Sequence, residues 1–585
     1  MGNYRNFKLV VYFVAAGTAS ETREKLEKEL AFFGRHMKLD KVYLEPFRGE
    51  VFASHEQVEL CRAVFEEHGI EVAGGITTTI PTPEGDAPKA RMFNTFCYND
   101  EKMVEKLKEV STFLGKHFDA FIIDDFYFTN CTCDLCRAGR DAYNKEHGIS
   151  DGSWQEYRLA LMEKVSREYM ITPAKAQNPN CKITIKYPNW AESYQETGYN
   201  PKAQRELFDM VYTGTEARDP FVQDQHLPRY LSYSLMTYFE NMCSGRNGGG
   251  WFDPYDLYVT EHYLEQSYLT AFSKPKEMMM FCFQSLVNTM NVPALGYQLD
   301  KLDRVLDDAG NPVGIMCYLP DNCQGEDNVQ DFLGMCGLPI VCTPYFPENA
   351  PYIFLSRSAA YDADVVEKLE KYVAKGGKAL VTAGFVEATQ DKGIKQMTSI
   401  RFHGRKVLAN DYLVEMKNGP GRPLVYPHAR EKVLVQVPEI RNNATWSLVK
   451  TQVGQESFGM FVRDTYGKGE LWTLAVPDAY SQLYQLPDEV LTRIRAEFPV
   501  NGVYLEGGSE ISLFMYDNDT FIFYPYVEHG VQPRDCKIHV LGDVEALVIP
   551  AENNREVKPL YKQYGETVFE WKAMPGRYTL FRIKK

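Results

Sequence analysis

Short apolar runs alternate with amphipathic stretches through the first 300 residues. The runs fall at 8–14 (KLVVYFV), 41–46 (KVYLEP), 71–76 (EVAGGI), 119–125 (DAFIIDD), 182–187 (KITIKY), 209–214 (DMVYTG), 233–239 (YSLMTYF) and 278–283 (MMMFCF). Between most of them apolar residues recur at helical spacing, as in ETREKLEKELAFFGRHM, EQVELCRAVFEEHG and EKMVEKLKEVSTFLGKHF. A compact apolar run reads as a buried strand and a spacing of three to four as a helix facing a core. Eight such strand–helix units predict an α/β fold, a (β/α)8 TIM barrel over residues 1–310, with a doubly wound open sheet as the alternative. No G-x-G-x-x-G follows a strand, so nothing points to a dinucleotide site.

The alternation restarts at 311. NPVGIMCYLP, LPIVCTP and YIFLSR read as strands, and DADVVEKLEKYVAKGGKALVTAG as a helix, a Gly-Gly cap and a buried strand. This pattern predicts a flavodoxin-like α/β domain over 311–500, interrupted by a more irregular insertion at 387–465. From 501 the chain turns to short alternating strands with polar turns, as in EISLFMYDNDTFIFYPY and GRYTLFRIKK, which predict a small β-sandwich over 501–585.

Composition narrows the partners. The net charge is −15 and no Lys/Arg-rich block occurs, so a nucleic-acid partner is not expected. The N-terminal apolar run is shorter than a secretory core and lacks its cleavage site, and no stretch approaches the ~20 apolar residues of a membrane helix. A cytoplasmic protein is the expectation, with no membrane partner.

In a (β/α)8 barrel the chemistry sits at the C-terminal ends of the strands. On the strand positions above, those ends carry Glu45 and Arg48 (LEPFRG), Asp124 and Asp125, then Tyr187, Asn189 and Trp190 (KYPNW). They continue with Glu216, Arg218 and Asp219 (GTEARD), Glu240 (YFEN), and Trp251 in the Gly-rich loop GRNGGGWFDPYD. A single strand-end acid is as often a helix cap or an Arg partner. Acids, Arg and aromatic residues on one rim together suit sugar chemistry: two carboxylates flank a glycosidic bond while rings stack on the sugar's apolar face. No H-x-H or H-E-x-x-H supports metal-assisted hydrolysis.

The segment FDAFIIDDFYFTNCTCDLC adds a second chemistry. Neighbouring cysteines at C-x-C-x-x-C spacing are poorly placed to bridge one another, and three thiols this close suit a tetrahedral zinc that lacks one ligand. Cys97, in RMFNTFCYNDE, precedes the same strand by one helix. Cys97, Cys131, Cys133 and Cys136 are therefore expected to close a structural four-cysteine zinc site, against the plainer alternative of four packed thiols.

These motifs resemble the glycoside hydrolase family 42 β-galactosidases of clan A. CTCDLCRAGRDAYNKEHG matches that family's cysteine run and following helix, FNTFCYNDE its earlier cysteine, and DADVVEKLEKYVAKGGKALVTAG its helix–Gly-Gly–strand segment. The resemblance implies a barrel, a flavodoxin-like domain that mediates trimers, and a small β-domain. It also implies an acid/base at the end of barrel strand 4 and a Glu nucleophile after strand 7. Asp124-Asp125 stands where the family has Asn-Glu, and Glu240 is the positional match for the nucleophile, with Glu216 as its rival.

The expectation is an exo-acting, retaining glycosidase for small oligosaccharides or glycosides, retention being implied by the resemblance. Asp125 and Glu240 are its catalytic pair, and Asp124, Glu216, Arg218, Glu45, Arg48, Tyr187, Asn189, Trp190 and Trp251 its substrate contacts. A barrel that binds carbohydrate without cleaving it is the alternative, as is a glycosidase of other sugar specificity that uses Glu216 in place of Glu240.

Overall fold

The structure is a computed structural model that describes residues 4–81, 91–150, 152–418, 423–527 and 532–585. The chain divides into two units: Met1–Gln223 with Met242–Asp303, and Asp224–Asn241 with Arg304–Lys585.

The first unit holds eight parallel strands, β1 (Lys8–Phe13), β2 (Lys41–Arg48), β3 (Glu71–Thr77), β4 (Ala120–Ile123), β5 (Lys182–Tyr187), β6 (Met210–Gly214), β7 (Asn247–Phe252) and β8 (Glu277–Met280). Each pairs in parallel with the next, and β1 pairs with both β2 and β8, so the ring closes into the expected barrel. Three flanking helices matter below: α1 (His55–Glu67), α2 (Glu101–His117) and α3 (Asp134–His147). Alternation along the strands sends Val10, Tyr12, Tyr43, Ala73, Ile122, Tyr212, Trp251 and Met279 into one buried cluster.

The N-terminal ends of the strands close on matched charges. Lys8 Nζ lies 2.7 Å from Glu71, and Lys41 Nζ lies 3.1 Å from Glu277 and 3.5 Å from Glu71. The Tyr43 hydroxyl donates to Glu277 at 2.8 Å. Two ammonium groups thus meet two carboxylates.

Seven of the eight expected strands are present, and the one at 233–239 is not. That segment lies in helix α4, Leu231–Met242. A short apolar run cannot by its pattern separate a buried strand from a buried helix. Here backbone groups of the strand Ile340–Thr343 hold the helix. Tyr230 Oη accepts from the Ile340 N–H, Thr237 Oγ1 accepts from the Cys342 N–H, and Asn241 donates to the Cys342 carbonyl. The seventh barrel strand is instead NGGGWF, and its glycines answer a packing need. A Cβ on Gly249 would stand 2.0 Å from the Glu277 carbonyl oxygen, and one on Gly250 would stand 2.5 Å from Thr270.

In the second unit, strands Ile340–Thr343, Ile315–Tyr318, Tyr352–Leu355, Lys378–Thr382 and Gly469–Leu474 lie side by side in parallel. Antiparallel strands Glu456–Tyr466, Trp446–Val453 and Lys406–Glu415 extend the same sheet, so much of the expected irregular insertion is regular sheet. Six-stranded and four-stranded antiparallel sheets make the remainder β-rich. Among the described residues no helix is long and apolar enough to cross a membrane.

Candidate active site

At the C-terminal mouth of the barrel four carboxylates gather around two cations. Glu45, at the end of β2, is fully buried and accepts from Tyr12 at 2.7 Å, from Thr77 at 2.5 Å and from Arg48 Nε at 2.9 Å. Arg48 also donates to Asp124 at 2.7 Å, and its guanidinium lies within 6.0 Å of the ring centres of Tyr12, Phe126 and Phe281. The second cation is Lys186, on the inward face of β5. Its Nζ reaches Asp125 at 2.5 Å, and Asp124 and Glu216 at 3.6 Å each, while resting 4.1 Å over the Trp251 ring.

Burial and charge then separate the acids. Asp124 is enclosed, accepting from Arg48, from Thr77 and from the Asp125 N–H. Burial opposes its ionisation, but Lys186 and Arg48 outweigh that and hold its carboxyl below the usual range. For Asp125, burial outweighs the pull of Lys186, and Asp124 and Glu216 add repulsion, so its carboxyl is pushed up to about 7. Lys186 is held protonated, its burial overcome by Asp125, Glu216 and Asp124. The Asp125 side chain keeps 17 % exposure against 2 % for Asp124, so of the adjacent pair Asp125 is the one open to a ligand.

Glu216 follows β6 and is 7 % exposed, with Oε2 buried and without a hydrogen-bond partner. An unpaired buried carboxylate oxygen is costly, and a ligand hydroxyl is the kind of group that satisfies it. Sharing one Nζ limits Asp125 Oδ2 and Glu216 Oε1 to a separation of about 6 Å.

Other expected residues are placed differently. Tyr187 neighbours Lys186 on β5, so alternation turns it away from the barrel interior. It is fully buried, gives its hydroxyl to Gln204 at 3.2 Å and packs on Tyr194 and Tyr199, which removes it from the substrate contacts. Asn189 is buried and donates to the Glu216 carbonyl at 3.1 Å, bracing that loop. Trp190 joins an aromatic group with Phe128 and Tyr199. Trp251 is 2 % exposed, lying beneath Lys186 and stacked on Phe281 at 4.9 Å, so it backs the site rather than facing a ligand. Arg218 clasps Asp253 through two bonds, at 3.2 and 2.5 Å, and so is engaged at the end of β7.

Glu240 is the main correction. It is exposed on α4, in the second unit, and no barrel strand ends near it in the chain. Its role as nucleophile rested on the strand expected at 233–239, and falls with it.

Lys186, Asp253 and Phe281 escaped the sequence reading. Lys186 was legible as a charge inside an apolar strand, KITIKY, on the face of Thr184. Asp253 was hidden because its strand is glycine-rich. Phe281 follows β8 and joins Cys282 through a cis peptide.

The four cysteines converge as expected. Cys97 comes from the loop before α2, Cys131 and Cys133 from the loop after β4, and Cys136 from the first turn of α3. Cys97 Sγ lies 3.7 Å from Cys133 Sγ and 3.5 Å from Cys136 Sγ, and all four sulfurs fall within 4.8 Å of one another. Zn–S bonds of about 2.3 Å set tetrahedral S···S edges of about 3.8 Å, so the donor set fits such an ion. Arg91 approaches Cys131, and Asn99 donates to Cys136, as outer partners of thiolates would.

Similarity to known proteins agrees with this geometry. Residues 1–300 match the family described as "Probable glycosyl hydrolase, catalytic domain", and residues 310–479 match "Uncharacterized protein SSO3021, second domain". The uncharacterized protein SSO3021 of Saccharolobus solfataricus is 26 % identical over 423 residues, which span 67 % of this chain and 69 % of that one. A β-galactosidase from Bacillus circulans sp. alkalophilus shares the fold at a TM-score of 0.63 and 11 % identity, covering 99 % of each chain. α-L-Fucosidase isoenzyme 2 from Paenibacillus thiaminolyticus does so at 0.63 and 10 %, covering 99 % and 100 %. A closed parallel barrel with an acid-rich mouth and a family match over more than half the chain lead to one conclusion: this protein belongs to the probable glycosyl hydrolase catalytic-domain family and is a glycosidase.

Proposed function

We propose a retaining glycosidase for small glycosides in which Asp125 and Glu216 are the catalytic carboxylates. The observation that carries this reading is their convergence on Lys186 Nζ, which keeps the two carboxyl oxygens within about 6 Å. Retaining enzymes hold their pair at ~5–5.5 Å and inverting ones at ~6.5–9.5 Å, and two carboxylates that share one ammonium group support the closer, retaining arrangement. Asp125, more exposed and with its carboxyl pushed up to about 7, holds a proton to give the leaving oxygen. The Glu216 carboxylate attacks the anomeric carbon. The covalent bond to Glu216 forms as the glycosidic bond breaks, and water activated by Asp125 later displaces the carboxylate. Asp124 and Lys186 position this pair and set its charge. Phe281, part-exposed and backed by Trp251, supplies an apolar face for the ring.

The cysteine group is read as a structural Zn2+ site. Five residues join Asp125 to Cys131, so an ion there would steady the loop that carries the proton donor.

Replacement by Asn at Asp125 and by Ala at Glu216 should each lower turnover on an aryl-glycoside panel by about 10^3-fold or more. Azide should restore product release in the Glu216 variant, giving the glycosyl azide of inverted configuration, while Glu240→Gln stays near wild type. Undiminished turnover in either carboxylate variant, or an inverted sugar product from the wild type by NMR, would remove the assignment.

A further inference from the structure

Outside the barrel mouth and the cysteine group, one more cluster of donors converges. His55 opens α1, Glu59 follows one turn later on the same face, and His117 closes α2. His117 Nδ1 lies 3.7 Å and His55 Nδ1 lies 4.0 Å from the same Glu59 oxygen, and the two imidazole centres are 4.6 Å apart. One donor atom from each residue can be chosen so that all lie within 4.8 Å.

We propose that His55, Glu59 and His117 form a second metal site, for a first-row divalent transition ion of the zinc type, bridging α1 to α2. Two imidazole nitrogens and one carboxylate oxygen are the donor set such ions take, whereas Ca2+ and Mg2+ prefer oxygen throughout. Metal–nitrogen bonds of ~2.0–2.1 Å bring tetrahedral donors to about 3.4 Å from one another, so side-chain shifts of at most about 1.4 Å close the set. The two α1 donors can make that shift, their side chains being 56 % and 41 % exposed. His117 is the fixed member, 10 % exposed, with its ring 4.3 Å from Phe113. Arg62 lies 3.7 Å from that same Glu59 oxygen and donates to the His117 carbonyl, so it borders the site and ties the end of α2 to α1. Three protein donors leave a position for water or an outside ligand.

Full-length protein carrying its native metal content would be dialysed against Zn2+ and its bound zinc measured beside His55→Ala and Glu59→Gln. The wild type should take up one equivalent per chain more than either variant, or hold it roughly tenfold more tightly. Added Zn2+ should raise the melting temperature of the wild type and leave that of His55→Ala unmoved. Co2+ bound there should lack thiolate charge-transfer absorption, which separates it from the cysteine group. Equal uptake and equal thermal response in wild type and variants would overturn the site. Because His55 is exposed, its replacement keeps the fold intact for the comparison.

Discussion

The two ends of the barrel are built from the same eight strands and treat charge in opposite ways. At the N-terminal end Lys8 and Lys41 meet Glu71 and Glu277 one for one, with Tyr43 completing the hydrogen bonds. At the C-terminal end Glu45, Asp124, Asp125 and Glu216 gather on Arg48 and Lys186, four acids to two cations. Of these pairs Lys41–Glu277 is buried between strands, while Lys8 and Glu71 stay about half exposed. Burial, with the repulsion of its acidic neighbours added, raises the Asp125 carboxyl until it keeps its proton near neutral pH. One end matches its charges, and the other keeps the acid excess that the proposed proton donor needs.

The sharpest way to break that comparison is to remove one acid from each end. Asp125→Asn should cost the orders of magnitude in turnover given above, without loss of fold. Its stability should also respond to pH in a defined direction. The Asp125 carboxyl sits above its unfolded value, so its contribution is fully present below the unfolded pKa and is lost as pH rises through about 7. Thermal melts should show wild type and Asp125→Asn alike in acid, with the variant relatively more stable near pH 8. A variant that is less stable at both ends of that range would contradict the acid-excess account.

Glu277→Gln at the other end should do the reverse. It leaves the buried Lys41 with the more distant Glu71, at 3.5 Å, and should cost roughly 1–3 kcal/mol in a denaturant titration. Turnover of the folded fraction should stay within about twofold of wild type, since nothing in the proposed chemistry touches it.

A smaller effect sharpens the roles at the mouth. Lys186 pulls the Asp125 carboxyl down against burial and its acidic neighbours. Lys186→Met should therefore move the alkaline limb of the kcat/KM profile upward from about 7 as it lowers the rate. An unmoved limb would mean that Asp125 is not the titrating proton donor.

The barrel was legible because seven of its strands are compact apolar runs, and the cysteine group because C-x-C-x-x-C is local and its fourth member lies one helix upstream. The failure at strand 7 has a physical cause. YSLMTYF is apolar all round since it is a helix buried against strand Ile340–Thr343, whereas NGGGWF is strand through close backbone packing, which hydrophobicity does not register. Glu240 was carried into the site by that exchange and leaves with it.

Element type over most of the chain, the acidic strand ends and the clustering of thiols are properties of neighbouring residues, and short-range pattern suffices to find them. Which acid keeps a proton, and which oxygen is left without a partner, depend on Lys186, Arg48 and Glu216, brought together from β2, β5 and the loop after β6. Coulomb interaction and desolvation act through space, so the pairing of Asp125 with Glu216 exists only once the ring of strands has closed.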